Sequence, residues 1–449
     1  MKQISLTTGN IWQVLLRFSI PFLLANLLQA LYGAVDLMVI GAYCSAESIA
    51  AVSTGTQITQ IITSLISGLT LGGTILVAKY TGKQNNEKVA MTISTTIVCF
   101  AIISIILTIF MMVSLPYILT LLQVPSVSRN FAYQYVMICC AGIFFICEYN
   151  ALCSILRGYG DSMSPFIFAG IACICNIIGD IYTVGYLHMG VCGSAISTII
   201  SQCVSMVIAY AYLRRKQWPF GIRLSSLRMD ITTCKELICV GVPVSFQECM
   251  VRISFLYLTA ITNGFGIYAA SAVGIAGKFD IFAMLPATSI SAALTAITAQ
   301  NMASNQPKRA FHFVRKGIMI SFVCALMFFL WAQISPESMI AMFSKDTKVI
   351  SYGVPFIRTC SIDYLAVSIL FNLNAYLNGC EKTMFTMINC CAGALLIRTP
   401  LLFLLSNSHV DVLAYYGFVS PLSSIIMMFV IVLYLKKWHV IVKQPVLSK

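Results

Sequence analysis

Long apolar runs recur from one end of the chain to the other, and only short polar gaps separate them. Each run holds roughly 20 residues or more, enough for an α-helix to cross a hydrocarbon core of about 30 Å. The twelve runs cover residues 13–40, 51–78, 91–114, 133–156, 164–187, 193–213, 237–262, 271–298, 317–334, 354–377, 384–405 and 412–435. This pattern predicts an all-α integral membrane protein with twelve transmembrane helices.

An internal repeat relates the two halves of the chain at an offset of about 222 positions. At this offset Pro21 aligns with Pro243, each near the start of the first span of its half. Six spans is an even number, so both halves enter the membrane from the same side, as in the parallel repeats of secondary transporters. We therefore expect two six-helix bundles related by pseudo-two-fold symmetry, residues 1–213 and 237–449, joined by a cytoplasmic linker at residues 214–236.

Composition excludes an ordinary soluble protein, because 59% of the residues are hydrophobic and 10% are charged, whereas soluble domains carry about 25% charged residues. The net charge of +13 indicates membrane topology rather than a nucleic-acid partner. With the amino terminus in the cytoplasm, 21 of the 28 Lys and Arg residues fall in cytoplasmic segments, three in external loops and four inside spans. Positive residues stay inside during insertion. We expect a multi-pass protein of the plasma (inner) membrane with both termini cytoplasmic.

Cysteine and histidine give no sign of a metal centre or an active site. The 18 cysteines are scattered mostly through the apolar runs without a disulfide or zinc spacing, and we read them as packing residues. The four histidines lie in loops or at span ends, and neither an H-E-x-x-H nor a Gly-x-Ser-x-Gly motif occurs. These observations disfavour a membrane-embedded enzyme, and no repeated selectivity loop indicates a channel.

Three acids lie deep inside spans of the first half, where no Lys or Arg accompanies them: Asp36, Glu148 and Asp180. A charge at membrane depth costs about 2.5–3.5 kcal/mol even on the lenient insertion scale, so such residues usually carry function. An acid without a basic partner must be protonated or hold a cation. We therefore expect a transporter coupled to H⁺ or to Na⁺, with Asp36 and Asp180 as the Na⁺ ligands in the second case.

Asp36 and Asp180 are expected to share one depth in the first bundle. Counting about 1.5 Å per residue from the outer ends of their spans places them roughly 8 and 10 Å deep. Asn176 lies one turn from Asp180 on the same helix face, and Thr198 and Tyr32 are positioned to complete a hydrogen-bonded network. The alternative is that each acid is protonated and hydrogen-bonds a neighbouring helix for structural reasons.

The buried acids of the second half have basic neighbours. Glu248 and Arg252 are spaced i, i+4 in the order that favours an ion pair. Lys278 and Asp280 lie two positions apart on one span, and Asp363 lies in the outer half of the tenth. Either these groups form a structural network, or Glu248, Asp280 and Asp363 line a cleft that attracts a cationic substrate.

Two residues of the first half leave a choice open. Glu148, near the inner end of the fourth span, is either a proton relay or a structural group within reach of Arg157. Pro21 acts as a hinge if it lies deep in its helix, where it removes a backbone hydrogen bond. Near the first turn it would be harmless.

Four stretches together resemble the multidrug and toxic compound extrusion (MATE) family over essentially the whole chain. They are Pro21 through Leu31-Tyr32-Gly33-Ala34-Val35-Asp36, Tyr149-Asn150 through Arg157-Gly158-Tyr159-Gly160-Asp161-Ser162, Asn176-Ile177-Ile178-Gly179-Asp180, and Gly190-Val191-Cys192-Gly193-Ser194-Ala195. None is diagnostic alone, but their order and spacing are specific. The resemblance implies a monomeric antiporter without a cofactor that exports amphipathic, often cationic organic compounds by alternating access of two bundles.

The resemblance also implies site residues, those of the prokaryotic branch with coupling acids in the N-terminal bundle. The positions that match its ion-coupling residues are Asp36, Asn176, Asp180, Thr198 and Tyr135. The first-helix proline of the family, expected to bend when the acids protonate, falls on Pro21.

The chain departs from the family pattern in two places. Another branch uses acids in the seventh and tenth helices, where Glu248 and Asp363 lie without clearly matching its positions. Gly179 stands where a bulky residue is common, and we expect it to loosen the site. The nearest rival function is a lipid-linked saccharide flippase of the same superfamily, which would be expected to have a more basic cleft.

Overall fold

The structure, a computed structural model, describes residues 4–44, 46–121, 126–215, 227–408 and 412–443, and all regular structure in these ranges is helical. The helices of the first half are α1 (Ile11–Tyr43), α2 (Ala46–Gly82), α3 (Asn86–Leu121), α4 (Ser126–Ala141), α5 (Ile143–Gly158), α6 (Met163–Asp180) and α7 (Gly190–Arg215). Those of the second half are α8 (Ile231–Asn263), α9 (Ile267–Ala303), α10 (Pro307–Ile334), α11 (Pro336–Ala341), α12 (Thr347–Cys360), α13 (Ile362–Gly379), α14 (Thr383–Ala392), α15 (Thr399–Asn407) and α16 (Leu413–Lys443). The π-helical segments Ile181–Tyr186 and Gly393–Arg398 continue α6 and α14.

The described helices account for the predicted spans. Eleven helical stretches in the described residues are long and apolar enough to cross a membrane, counting α12 with α13 (Thr347–Gly379) and α14 with α15 (Thr383–Asn407) as one stretch each. The number becomes twelve when the bent pair α4 and α5 forms one span. These two helices differ in direction by 47°. Gly142 stands between them, where a Cβ atom would come 2.6 Å from Ile199 Cγ1, so only glycine fits this break. The all-α membrane architecture is confirmed, with a bend in the fourth span that the apolar pattern did not predict.

Polar residues just before two helices accept hydrogen bonds from the first backbone N–H groups, which otherwise lack partners. Asn10 accepts from Trp12 N at 2.9 Å where α1 begins. Asp230 accepts from Thr233 N at 2.8 Å and from Thr233 Oγ1 at 2.6 Å where α8 begins. These caps fix the starting points of the first helix of each half.

The chain divides into two compact units. The first unit comprises Met1–Ser245 and Ala299–Gln306, and the second comprises Phe246–Thr298 and Pro307–Lys449. The division falls inside α8 and α9, so one end of each of these helices packs with the first half of the chain. Residues 216–226 of the predicted linker lie outside the described residues, and the boundary at residues 214–236 stays a prediction.

Small residues let α2 and the first part of α8 pack backbone to backbone within the first unit. A Cβ atom on Gly72 would lie 2.7 Å from Leu237 O, and one on Gly241 would lie 2.6 Å from Leu69 O. Protein interiors are close-packed, so a side chain at either position has no free volume to enter. This contact holds the start of the second repeat against the first unit.

Candidate functional site

α1 and α6 bring the two acids of the first unit together. Asp36, in α1, is 4% exposed, and Asp180, the last residue of α6, is 0% exposed. Their carboxyl groups are close enough to interact directly. Two carboxylates at this range repel each other unless a proton or a positive charge compensates them. The sequence predicted that these two acids share one depth and have no basic partner.

Asp36 has a hydrogen-bond donor that the sequence analysis missed. Ser194 of α7 donates its hydroxyl to Asp36 Oδ1 at 2.6 Å, and both side chains are buried. Ser194 lies in residues 190–195, a stretch that the sequence analysis quoted without assigning a role to it. A serine in an apolar span is common, and its approach to α1 depends on the rotation of α7, which the sequence does not give.

Asp180 has no such donor. Neither of its carboxylate oxygens has a hydrogen-bond partner, and Asn176 Oδ1, one turn earlier on α6, has none either. Ser197 lies beside Asp180 but outside hydrogen-bond geometry. Within the described residues, no Lys or Arg contacts Asp36 or Asp180. Because an uncompensated buried carboxylate is very costly, this arrangement suits binding of a proton or a small cation.

Asn176 and Thr198 link α6 to α7 next to the acids. Asn176 Nδ2 donates to Thr198 Oγ1 at 3.4 Å, and Asn176 is fully buried. Further along, Thr183 Oγ1 and Ser197 Oγ lie 2.9 Å apart. Thr183 belongs to the π-helical segment that begins directly after Asp180, and π-helical turns often occur at functional sites.

Gly179 lets α6 and α7 approach each other closely at this level. A Cβ atom here would lie 3.0 Å from Ser197 Cβ, which is tighter than ordinary van der Waals contact. The expectation that Gly179 loosens the site is therefore wrong. A bulky side chain would have to push the two helices apart, and with them the Asn176–Thr198 pair.

Tyr135 lies in the wall of the site. It is 3% exposed in α4 and belongs to one apolar cluster with Ile40, Val191 and Ala195, the last two flanking Ser194 in α7. One turn along α4, Cys139 interacts electrostatically with Asp36. The structure therefore brings Tyr135 into the neighbourhood of the acids. The side chain of Tyr32 lies outside the described residues.

Pro21 and Glu148 are also placed by the structure. Pro21 lies inside α1, which begins at Ile11, so it is beyond the first turn and deprives the helix of one interior hydrogen bond. Glu148, in α5, is 6% exposed, and its Oε1 has no hydrogen-bond partner. The Arg157 guanidinium lies 5.0 Å from the Phe22 ring centroid, and within the described residues it forms no ion pair with Glu148.

The charged residues of the second unit are arranged differently. Asp280 accepts a hydrogen bond from Tyr364 Oη at 2.7 Å, whereas Lys278 Nζ lies 4.9 Å from the Phe343 ring centroid. Glu248 is exposed and interacts electrostatically with Arg252. Neither of the predicted neighbour pairs, Glu248 with Arg252 or Lys278 with Asp280, forms a direct ion pair within the described part of the chain.

Asp363 and Arg398 form the buried charged centre of the second unit. Asp363 is 3% exposed with Oδ1 unpartnered, and Arg398 is 4% exposed with Nε unpartnered. Arg398 acts electrostatically on Asp363, and its Nη1 donates to Ser254 Oγ at 3.3 Å. The sequence pattern did not predict this pairing of Arg398 with Asp363.

A cavity of about 190 Å³ opens beside Asp363 within the second unit. Its walls combine two acids with aromatic and small residues, among them Asp280, Asp363, Phe255, Phe356, Tyr416 and Gly277. Acids set among aromatic faces suit a cation with an apolar body, because both charge and π-faces attract it.

The chemistry of the first-unit site suits a hard cation. Its polar atoms are carboxylate, amide and hydroxyl oxygens from Asp36, Asp180, Asn176 and Thr198, and such cations prefer oxygen ligands. Among the described residues, no group of three or more His, Cys, Asp or Glu side chains is placed to hold a metal ion, so a cation at this site would rely on amide and hydroxyl oxygens beside the two carboxylates.

The family model described as MatE matches residues 21–182 and, a second time, residues 243–404. The chain belongs to the MATE family. The two matches begin at Pro21 and Pro243 and confirm the repeat at an offset of 222 positions. MATE proteins are multi-span membrane transporters that export small molecules and are not enzymes, so the predictions of family and class are confirmed.

Similar proteins come from several bacteria. The chain is 22% identical over 405 residues to the probable multidrug resistance protein YoeA of Bacillus subtilis, covering 89% of this chain and 88% of that protein. It is 22% identical over 398 residues to the probable multidrug resistance protein NorM of Thermotoga maritima, covering 87% of this chain and 85% of that protein. It is 20% identical to the multidrug export protein MepA of Staphylococcus haemolyticus, covering 89% and 88%.

Solved structures share the fold. A transporter of the MOP superfamily from Pyrococcus furiosus superposes with a TM-score of 0.90 at 19% identity, covering 99% of this chain and 100% of that one. The outward-facing conformation of a multidrug resistance MATE family transporter gives the same TM-score, identity and coverage. At this identity the likeness establishes the architecture alone.

The MATE repeat also relates the two buried polar centres. At the offset of 222 positions between the matched segments, Asn176 of α6 corresponds to Arg398. The first unit thus has a neutral amide near Asp180, and the second has a permanent positive charge near Asp363. The acids themselves are not equivalent in the repeat, since Asp180 aligns with Leu402 and Asp363 aligns with Ala141.

Proposed function

We propose that this MATE transporter is a cation-coupled antiporter that exports amphipathic, often cationic organic compounds by alternating access. The names of the similar proteins, multidrug resistance and multidrug export, support the substrate class. The observation that carries the coupling proposal is the acid pair of the first unit, in which Asp180 is fully buried and has no donor on either oxygen.

The coupling ion, H⁺ or Na⁺, would compensate the acids in place of a protein cation. An ion shifts the population of two conformations by its difference in affinity for them. Moving one charge inward along the membrane potential yields about 2.3 kcal/mol per 100 mV, enough to support export against a gradient. Asp36 and Asp180 would bear the ion, with Asn176, Thr198 and Tyr135 completing the site.

The second-unit cavity supports the substrate class. Asp280 and Asp363 supply negative charge, and Phe255, Phe356 and Tyr416 supply apolar and π surface. A lipid-linked saccharide flippase, the alternative, would need basic groups to hold a pyrophosphate. The described lining of this cavity contains acids and no Lys or Arg, which favours the exporter.

Location and assembly complete the proposal. The excess of Lys and Arg in alternate loops supports a plasma-membrane protein with both termini cytoplasmic. We propose that it works as a monomer and needs no cofactor besides the coupling ion.

Reconstituted vesicles test the coupling. A fluorescent organic cation is loaded, and its export is followed under an imposed H⁺ gradient, an imposed Na⁺ gradient, or neither. Asp180→Asn should abolish the response to the ion gradient while the protein still inserts. Glu337→Gln, which changes an exposed acid at the start of α11, should behave as the unaltered protein. Gradient-driven export by Asp180→Asn at the full rate would contradict the proposal.

A further inference from the structure

Ser194 is bonded differently from the other buried serines of its helix. Ser197 donates to Gly193 O at 2.9 Å, Ser201 to Thr198 O at 2.7 Å, and Ser205 to Ser201 O at 3.0 Å, so each has an acceptor within α7. Ser205 Oγ also lies 3.4 Å from Phe168 O of α6, and Ser197 Oγ lies 2.9 Å from Thr183 Oγ1. Ser194 instead donates across to Asp36 of α1 at 2.6 Å. The hydroxyl of a serine in a helix normally donates to a backbone carbonyl of the preceding turn. The Ser194 hydroxyl donates to a carboxylate of another helix instead.

The bond gives Asp36 an environment that Asp180 does not share. In the described part of the chain, Ser194 is the one donor hydrogen-bonded to Asp36, and Asp180 has no donor on either oxygen. The titratable groups that face Asp36 are Asp180 from α6 and Cys139 from α4, with Tyr135 one turn from Cys139. None of these carries a positive charge, so the hydroxyl is the group here that distinguishes the two protonation states of Asp36.

A hydrogen bond to an ionised acceptor is roughly twice as strong as a bond between neutral groups. Ser194 therefore stabilises ionised Asp36 more than protonated Asp36. A metal cation needs the ionised carboxylate as its ligand, whereas a proton removes that charge. The hydroxyl consequently aids one kind of coupling ion at the expense of the other.

We propose that Ser194 sets the ion preference of this site, favouring a sodium-type monovalent metal cation over a proton. The inference rests on the coupling role proposed above for Asp36 and Asp180. Ser194 acts as a positioning residue, because its hydroxyl holds Oδ1 of Asp36.

Three variants in the same vesicle assay test this role. Export is measured against Na⁺ concentration at constant pH, and against pH without Na⁺, which gives half-saturating concentrations for both ions. Ser194→Ala should shift their ratio at least tenfold toward the proton, equivalent to about 1.4 kcal/mol. Ser194→Cys, whose thiol is a weak donor, should fall between. Ser205→Ala removes a buried hydroxyl of the same helix and should leave the ratio unchanged.

The outcomes separate the two proposals. Failure of both ion gradients to drive export in the unaltered protein would overturn the coupling role itself. Coupled export by the unaltered protein, together with an unchanged ratio in Ser194→Ala, would overturn the role of Ser194 alone. An equal shift in Ser205→Ala would also overturn it, since the effect would then reflect packing of α7.

Discussion

Replacing Arg398 asks whether a fixed positive charge compensates the buried acid of the second unit. Arg398 and Asp363 are 4% and 3% exposed, and the guanidinium lies 4.4 Å from the Phe255 ring centroid. Arg398→Met keeps an unbranched apolar stem of similar length, so the lost charge is the main change. Asp363 would remain buried without Arg398, the basic group of the described residues that acts on it.

The expected magnitude follows from the geometry. Removing one member of a buried charge pair costs about 3–5 kcal/mol. Within the described residues Arg398 and Asp363 interact electrostatically but form no direct ion pair, which places the effect near the lower end, about 3 kcal/mol. Asp363→Asn in the same background removes the uncompensated charge, so it should recover much of this loss.

A double-mutant cycle measures this coupling. The unaltered protein, Arg398→Met, Asp363→Asn and the double variant are unfolded in one detergent at one pH, and the free energies are compared. Arg398→Lys retains the charge and should cost less than Arg398→Met. If the two single losses add to the loss of the double variant within about 0.5 kcal/mol, the residues are independent, and the idea of a fixed counter-charge fails.

Two further predictions concern local structure. Gly241→Ala should destabilise the protein by about 1–3 kcal/mol through overpacking, because its Cβ would meet Leu69 O at 2.6 Å. Gly33→Ala is the control and should not destabilise the protein, because no atom lies within 4 Å of its Cβ. Equal melting temperatures of the two variants would contradict the tight contact of α2 with α8. Hydrogen bonds from Thr233 lower the pKa of Asp230 below its usual 3.8, so the cap stabilises the fold above that pH and is lost as pH falls through the lowered value. Asp230→Ala should therefore melt earlier than the unaltered protein at pH 7 but equally at pH 2, and a difference that persists at pH 2 would refute this reading.

The apolar pattern predicts what depends on distance along the chain and misses what depends on rotation about helix axes. Span positions, the repeat and the common depth of Asp36 and Asp180 follow from counting residues at a fixed rise. Ser194 could not be identified in this way, because its contact with Asp36 requires a particular face of α7 to meet α1.

Local departures from regular helix were also beyond the sequence pattern. The bend at Gly142 and the π-helical segments depend on how neighbouring helices pack. Gly179 shows the same limit: its departure from the family pattern suggested a loose site, whereas a Cβ there would lie 3.0 Å from Ser197 Cβ. At both glycines, a side chain of α7 occupies the space that a Cβ atom would need.

The contrast between Asn176 and Arg398 bears on the proposal that the first unit, and not the second, carries the coupling site. A fixed guanidinium compensates an acid in every conformation, so it cannot bias one conformation over another. A mobile ion can bias one conformation, provided that its affinity differs between the conformations. Moving a population from 1:99 to 99:1 requires a difference in affinity of about 10⁴-fold, or about 5.5 kcal/mol. Asp180 has no hydrogen-bond donor on either oxygen, so an ion that binds there would not have to displace a protein donor. Asn176→Arg should therefore both stabilise the acid pair and abolish coupling. If the acid pair were merely structural, the substitution would not produce these two effects together.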